Sequence, residues 1–508
     1  MLRTQRPVLV LAWAALVSAA ACGDNRAGTL DAAVDAPPRS CVEVPCRNGG
    51  VCEGAAGAET CTCTPGFAGA SCEDATWMVP AVPTTQLDLL LVVDNSAAMA
   101  VEQQQLAAAA PALLAALITH VGRLPDLHVG VVTSNAGAAG APGVPGCPPL
   151  GDDGALAVLV PFSTERCGGV TDDYVRDVAG ANGDRLRNYG GDLAEALGCL
   201  VERGTTGCGF EMHLESAWRA LQPGRNPGFR RADAHLALVV VADEDDCSTA
   251  DGTVFGDPLA TLTSPLGPRT SFRCHEFGVV CDDDPAPREF GPRQGCRPRA
   301  DSPYMFPLGR YVDFVRTVET SPGRVSVAGI VGTFDGSHLA VVQDPTPGAP
   351  ALQPAVERSC GLDPSDPLAG ASPPVRLAAF LAAFSDRTSQ ASACADRYDL
   401  ALSEVAAVAA RGMAGVRCLG DTLADLDATS PGLQPSCTVT LVNDPPGPGR
   451  TDTLLAPCVG AAAPPGPPCW TLDPDPALCP GAAAAFRLVP GTTPPYPGSI
   501  VEARCLTR

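Results

Sequence analysis

Four runs of nearly unbroken apolar residues mark the middle of the chain: "LDLLLVVD" from Leu87, "LHVGVVTS" from Leu127, "AHLALVVVAD" from Ala234 and "RVSVAGIVG" from Arg324. Short runs rich in Val and Leu, without polar alternation, are what strands covered on both faces present. Around them the apolar positions fall at helical spacing, which predicts helices over Glu102–His120, Gly191–Glu202, Phe210–Leu221, Leu308–Glu319, Pro374–Phe384 and Asp399–Ala410. Strands that alternate with helices imply a doubly wound, mostly parallel sheet with helices on both faces. We assign this α/β unit to residues 86–411. Its ligand crevice is expected at the carboxyl ends of the strands.

Two stretches break the alternation. Residues 247–310, with "FRCHEFGVVCDDDPAPREFGPRQGC", carry little periodicity and read as a Cys-rich, disulfide-pinned insertion. "GTFDGSHLAVVQDPTPGAPALQPAVERSC" is the second irregular stretch, and both follow strands, so both belong near the same rim. Beyond them, residues 412–508 turn Pro-rich, with six cysteines and short strand candidates such as "SCTVTLVN", "PCWTLD", "AFRLVP" and "SIVEARC". They read as a small Cys-rich β domain.

Composition narrows the function. Across 508 residues there are 34 basic and 56 acidic side chains, a net charge of -22, and no lysine. Such a surface repels phosphate backbones, so nucleic acid is excluded as a partner. The opening "MLRTQRPVLVLAWAALVSAAAC" has an Arg-bearing start, an apolar run too short to span a bilayer, and small residues before Cys22. Residues 1–21 therefore read as a secretory signal peptide. The Ala-rich approach to Cys22 resembles a bacterial lipobox, which implies a lipidated Cys22 at the mature N-terminus; plain cleavage remains the alternative reading. Setting Cys22 aside leaves 22 of the 23 cysteines, an even number that suits full pairing in an oxidising compartment. Residues 22–40, ending in Pro37 and Pro38, have little to bury and read as a flexible tether. The expected location is the outer membrane, on its periplasmic or outer face.

Residues 41–73 hold six cysteines and almost no large apolar side chain, so only disulfides can staple them. "CRNGGVC" and "CTCTPGFAGASC" resemble an EGF-like domain. That resemblance implies the pairs Cys41–Cys52, Cys46–Cys61 and Cys63–Cys72. Calcium-binding members carry acids before the first cysteine, whereas this chain has "PPRSC", so no calcium is expected in this unit.

The chemistry gathers at two strand ends. "VVDNSAAM" places Asp94 after a strand and Ser96 two residues on, a carboxylate and a hydroxyl of the kind that hard divalent cations take as ligands. "LALVVVADEDDCS" ends another strand on Asp243, followed by Glu244, Asp245 and Asp246; four adjacent acids favour a neutralising cation, the alternative being a solvated acidic loop. Together with "TSN" and "GCGFE", these motifs resemble the von Willebrand factor A domain of a subgroup of bacterial, myxobacteria-like lipoproteins. The resemblance implies a metal-ion-dependent adhesion site built on Asp-x-Ser-x-Ser, a distant Thr and a distant Asp. Asp94, Ser96 and Asp243 match, while Ala98 replaces the second Ser. At the Thr position the loop offers Thr205 and Thr206, but helix alignment brings Glu211, which could supply the oxygen that Ala98 withholds; a Glu at a helix start also favours the helix dipole without any metal.

The expected metal set is thus Asp94, Ser96, Glu211 and Asp243 with Mg²⁺ or Ca²⁺. The expected function is adhesion to an unknown protein or cell-surface ligand, the alternative a metal-independent envelope scaffold. An enzyme is not expected: His-Glu-x-x-His, Gly-x-Ser-x-Gly and Walker motifs are all missing, and the six histidines are scattered singly.

Overall fold

The computed structural model of the chain describes residue 41 and residues 45–508, except 55–58, 157–168, 171, 283–285, 320, 337–338, 347, 362–368, 385–386, 421–422, 428, 430–432, 444–448 and 459–465. The signal segment, Cys22 and the tether lie outside the described residues. A seven-stranded sheet forms the centre, built from β1 (Gln86–Val93), β2 (Asp126–Thr133), β3 (Val175–Ala179), β4 (Arg185–Arg187), β5 (His235–Val241), β6 (Val325–Val331) and β7 (Thr388–Ser392). Their spatial order is β7-β6-β5-β1-β2-β3-β4. The five strands from β7 to β2 run parallel, and β3 and β4 add an antiparallel edge.

Alternation along β1 explains why both faces are covered. Leu87, Leu89, Leu91 and Val93 enter one apolar core, and Leu90 and Val92 enter the other. The first face is packed by α1 (Ala100–Ala108), α2 (Ala110–Val121), α3 (Leu193–Val201) and α8 (Asp399–Ala414). The second is packed by α4 (His213–Ala220), α6 (Leu308–Thr317) and α7 (Val375–Ala382). The helix expected over Glu102–His120 is two helices divided at Ala109. Pro111, which lacks the N–H needed inside a helix, instead occupies the first turn of α2, where it is tolerated.

The irregular stretches are pinned as expected of disulfide-bonded insertions. Cys247 pairs with Cys274 and Cys281 with Cys296, around the short helix α5 (Phe272–Gly278). A small sheet of Gly291–Arg293, Leu339–Gln343 and Pro354–Val356 joins the first irregular stretch to the second. Cys360–Cys394 ties the second stretch to the segment after β7. Every described cysteine is disulfide-bonded. Bonding on this scale belongs to an oxidising compartment, so the chain is an exported protein.

At the N-terminal side, Cys41 pairs with Cys52, Cys46 with Cys61 and Cys63 with Cys72, the three pairs that the EGF-like resemblance implies. The tail does not complete its own sheet. Its five-stranded sheet runs Thr451–Leu454, Cys437–Asn443, Ile500–Leu506, Asp74–Pro80 and Phe67–Ala68, so two of its strands precede the α/β unit in sequence. A three-stranded sheet of Val416–Leu419, Ala484–Val489 and Cys469–Asp473 covers it. Between the two sheets Trp77 packs edge-on to Phe486, ring centres 5.6 Å apart, in a core shared with Trp470 and Val501.

A candidate cation site at the strand carboxyl ends

β1 and β5 are parallel neighbours, and the chain adds β2 on the far side of one and β6 on the far side of the other. Their carboxyl ends therefore mark the switch point at which such sheets open a crevice. Asp94 follows β1 and its N–H donates to the Val241 carbonyl at 2.9 Å, which holds the start of the Asp243 loop beside it.

The Asp94 carboxylate is fully buried, and each of its oxygens is held. Oδ1 accepts from the Ser96 N–H at 2.7 Å and from the Ser134 hydroxyl at 3.3 Å; Oδ2 accepts from His213 Nε2–H at 3.1 Å. Gln103 of α1 braces the backbone beneath, its Nε2–H donating to the carbonyls of Asp94 at 2.8 Å and Gly204 at 2.9 Å. The loop before α4 is stitched onto the same place. Gly207 N–H donates to the Asn95 carbonyl at 2.8 Å, Met212 N–H to the Ser134 carbonyl at 2.9 Å, and Cys208 is bonded to Cys147. A Cβ on Gly207 would meet Asn95 Oδ1 at 2.1 Å, so any larger residue here would have to push the Asn95 side chain aside.

This loop delivers Glu211 to the rim, where it is 2% exposed. Glu211, Asp94 and Asp243 do not close a three-carboxylate cage. Among the described residues, Cys41, Cys46 and Cys61 are the one set of three ligating groups with donor atoms within 4.8 Å of one another, and all three are disulfide-bonded. Glu211 has Glu244 as its foremost charged neighbour, ahead of Asp94 and Asp243. Ala98, at the second-serine position, is exposed; so is Thr206, while Thr205 is half-buried.

The acidic run after β5 divides into two pairs. Asp245 accepts from the first-turn N–H groups of Arg376 and Leu377 in α7, and Asp246 accepts from Leu214 N–H in α4 at 2.9 Å. Asp246 also receives the Ser248 hydroxyl at 2.7 Å and the buried Arg376 guanidinium at 3.1 Å. These two acids fasten helix ends, whose leading N–H groups lack partners within the helix. Asp243 and Glu244 are left for the crevice. Arg358, from the second irregular stretch, lies 4.0 Å from Asp243 Oδ2 and 3.7 Å from Glu244 Oε1.

Both Asp243 oxygens and the Ser96 hydroxyl are buried without a hydrogen-bond partner among the described residues. Buried polar atoms are normally satisfied, so these orphans ask for a ligand, and hard oxygen donors of this kind are what Mg²⁺ and Ca²⁺ take. Asp94, Ser96 and Asp243 carry oxygen donors of the kind such an ion takes. Burial and the crowding of like charges set the electrostatics of these acids. Burial, then the charges of Asp94 and Glu244, hold Asp243 well above the usual carboxylate range, with Arg358 opposing. Burial and the charges of Glu244, Asp94 and Asp243 do the same to Glu211. For His213, burial opposes the charged ring, but the hydrogen bond and charge of Asp94, with Asp246 and Asp245 behind it, prevail and raise it above its ordinary value.

His213 and Arg358 escaped the sequence reading. His213 follows Glu211 by two positions, the one signal that could have found it; Arg358 lies in a segment without periodicity and gave none.

No family model matches the chain, and no curated protein matches it. Among solved structures it is similar to the open conformation of the pilus adhesin SpaC from Lactobacillus rhamnosus GG, with 11% identity and a TM-score of 0.28 over 90% of this chain. The match spans 42% of the adhesin's length.

Proposed function

We propose that this chain is an exported, lipid-anchored protein-binding protein with a von Willebrand factor A-like head, an EGF-like spacer beneath it and a degenerate metal-ion-dependent adhesion site. The supporting observation is the set of orphaned oxygens at the switch point: Ser96 Oγ and both oxygens of Asp243, buried beside Asp94. Asp94, Ser96 and Asp243 would hold Mg²⁺ or Ca²⁺, with Glu211 adding negative charge nearby. A bound divalent cation supplies an open coordination position that a partner's carboxylate can take. His213 and Ser134 hold the Asp94 oxygens in one orientation, and Gln103 fixes its backbone. Cys22, which lies outside the described residues, would carry the lipid.

The test is calorimetric titration of the purified protein with Mg²⁺ and Ca²⁺, beside Asp94→Ala. Saturable binding that the variant loses supports the reading; binding indifferent to the change, or no binding, ends it. One observation favours a second reading, a metal-independent envelope scaffold. The Arg358 guanidinium already brings positive charge to Asp243 and Glu244. Under that reading Arg358→Ala unfolds the rim whether or not cation is present.

A further inference from the structure

Beside the candidate cation site, and not lined by Asp94, Ser96 or Asp243, is a cavity of about 440 Å³. The insertions build it: α5 and the Glu244 loop form one side, and the strands Leu339–Gln343 and Pro354–Val356 the other. Its lining is mixed: Phe272, Val342 and Val356 give it apolar surface, and Glu211, Glu244, Asp344 and Glu357 are among its acids.

Acids outnumber cations along this cavity. Glu211, 2% exposed, lines it and makes no ion pair with any described residue. Asp344 and Glu357 line it as well, and among the described residues Asp344 is engaged by uncharged groups, Thr346 N–H and the Gln353 amide. Glu244 has Arg358 at 3.7 Å, but that guanidinium is shared with Asp243 and donates to the Ser372 hydroxyl at 3.1 Å. The other basic residue of the lining, His275, is held down to about 4 by burial and by Arg293 and Arg299, so it is neutral at pH 7. A nearly buried carboxylate that makes no ion pair with any described residue, in a pocket that also presents Phe272, Val342 and Val356, suits a ligand with an apolar stem and a cationic head.

We propose that this cavity receives an arginine side chain from a partner protein, its methylenes between Phe272 and Val342 and its guanidinium against Glu211 and Glu244. Arginine suits the place because its planar head pairs with carboxylates and is more weakly hydrated than an ammonium. The net charge of -22 draws such a partner in. Glu211 is shared with the candidate cation site, and Glu244 and Arg358 lie at the edge of both, so the test is run without divalent cation.

The probe is the peptide acetyl-Ala-Arg-Ala-amide, titrated into EDTA-treated protein by NMR, beside its uncharged citrulline counterpart. Saturable binding of the arginine peptide is expected, with citrulline at least about tenfold weaker, the worth of one charged hydrogen bond. Glu244→Gln should weaken the arginine peptide about tenfold. Val342→Trp, which fills the cavity while leaving Glu211 and Glu244 in place, should abolish binding while the melting curve and the response to Mg²⁺ stay as they were. Equal binding of the two peptides, no saturable binding, or an affinity untouched by Glu244→Gln or Val342→Trp overturns the proposal. Because EDTA is present throughout, failure here leaves the cation reading standing, and failure of Mg²⁺ titration leaves this one standing.

Discussion

His213 Nε2 and Asp94 Oδ2 lie 3.1 Å apart, and both side chains are fully buried. Removing either partner strands the other away from water, which costs about 3–5 kcal/mol in buried ion pairs. His213→Ala and Asp94→Ala should each lower the free energy of unfolding by that order in urea titrations. The double variant should cost clearly less than the sum of the two. Additive losses would mean that the two side chains act independently.

Arg376 and Asp246 make the second buried pair, 3.1 Å apart, with 1% and 0% of their side chains exposed. Asp246→Ala would leave the guanidinium uncompensated and also release Leu214 N–H at the start of α4. A loss of about 3–5 kcal/mol is expected, with no recovery on adding Mg²⁺. Recovery by Mg²⁺ would instead place Asp246 in the cation site.

Acid should act through His235. Burial, then Arg387 and Arg324, push this imidazole down from 6.5 to about 3. In the unfolded chain it takes up a proton below about pH 6.5 that the folded chain refuses, so its contribution to stability is present above that pH and lost on acidification, by about 1.4 kcal/mol per pH unit. His235→Gln should flatten the slope of unfolding free energy against pH by one proton between pH 4 and 6. An unchanged slope would show that His235 charges freely in the folded state.

Glu319 runs the other way. Burial raises it to about 7, with Arg230 opposing, and its side chain is 1% exposed. The folded chain keeps this proton between about pH 4.5 and 7 while the unfolded chain does not. The contribution is therefore complete below pH 4.5 and lost as the pH rises through 7. Relative to the native chain, Glu319→Gln should gain stability as the pH rises from about 4.5 to 7, read from the same unfolding curves; a constant difference across that window would refute the assignment.

Gly412 supplies a test of local packing. The sequence pattern ends the last helix at Ala410 and begins the tail at Gly412, because glycine weakens helices. α8 continues to Ala414 and stops only at Gly415, whose φ of +66° is a left-handed cap. Gly412 is there for His235: a Cβ on it would meet the ring carbon Cε1 at 2.0 Å. Gly412→Ala should therefore destabilise the fold, although alanine is the better helix former. A gain in melting temperature would mean that the ring moves aside.

That case shows what a single chain discloses. Continuous apolar runs and helical spacing reported the inner strands and their covering helices to within a few residues, because burial on both faces leaves a local signature. The edge strands did not report themselves. β7, "TSQAS", and β4, "RLR", are polar and short, and only pairing with neighbours makes them strands. At the site, Asp94, Ser96 and Asp243 were legible because strand ends are predictable places. The division of labour within Asp243–Asp246 was not, since it depends on which helix starts fold against them. Nor was Arg358, which arrives from more than 100 residues along the chain beyond Asp243.

The pairing of Asp74–Pro80 with Ile500–Leu506 has a mechanical side. A pull between the N-terminal unit and a partner held at Asp94 would travel along Asp74–Pro80 and then β1, two segments that are already extended and have little length to yield. β1 is clasped by eight register pairs with β2 and seven with β5, which such a load would have to shear all at once. The line from the N-terminal unit to Asp94 thus avoids the insertions and the rest of the tail, so those parts bear none of such a load.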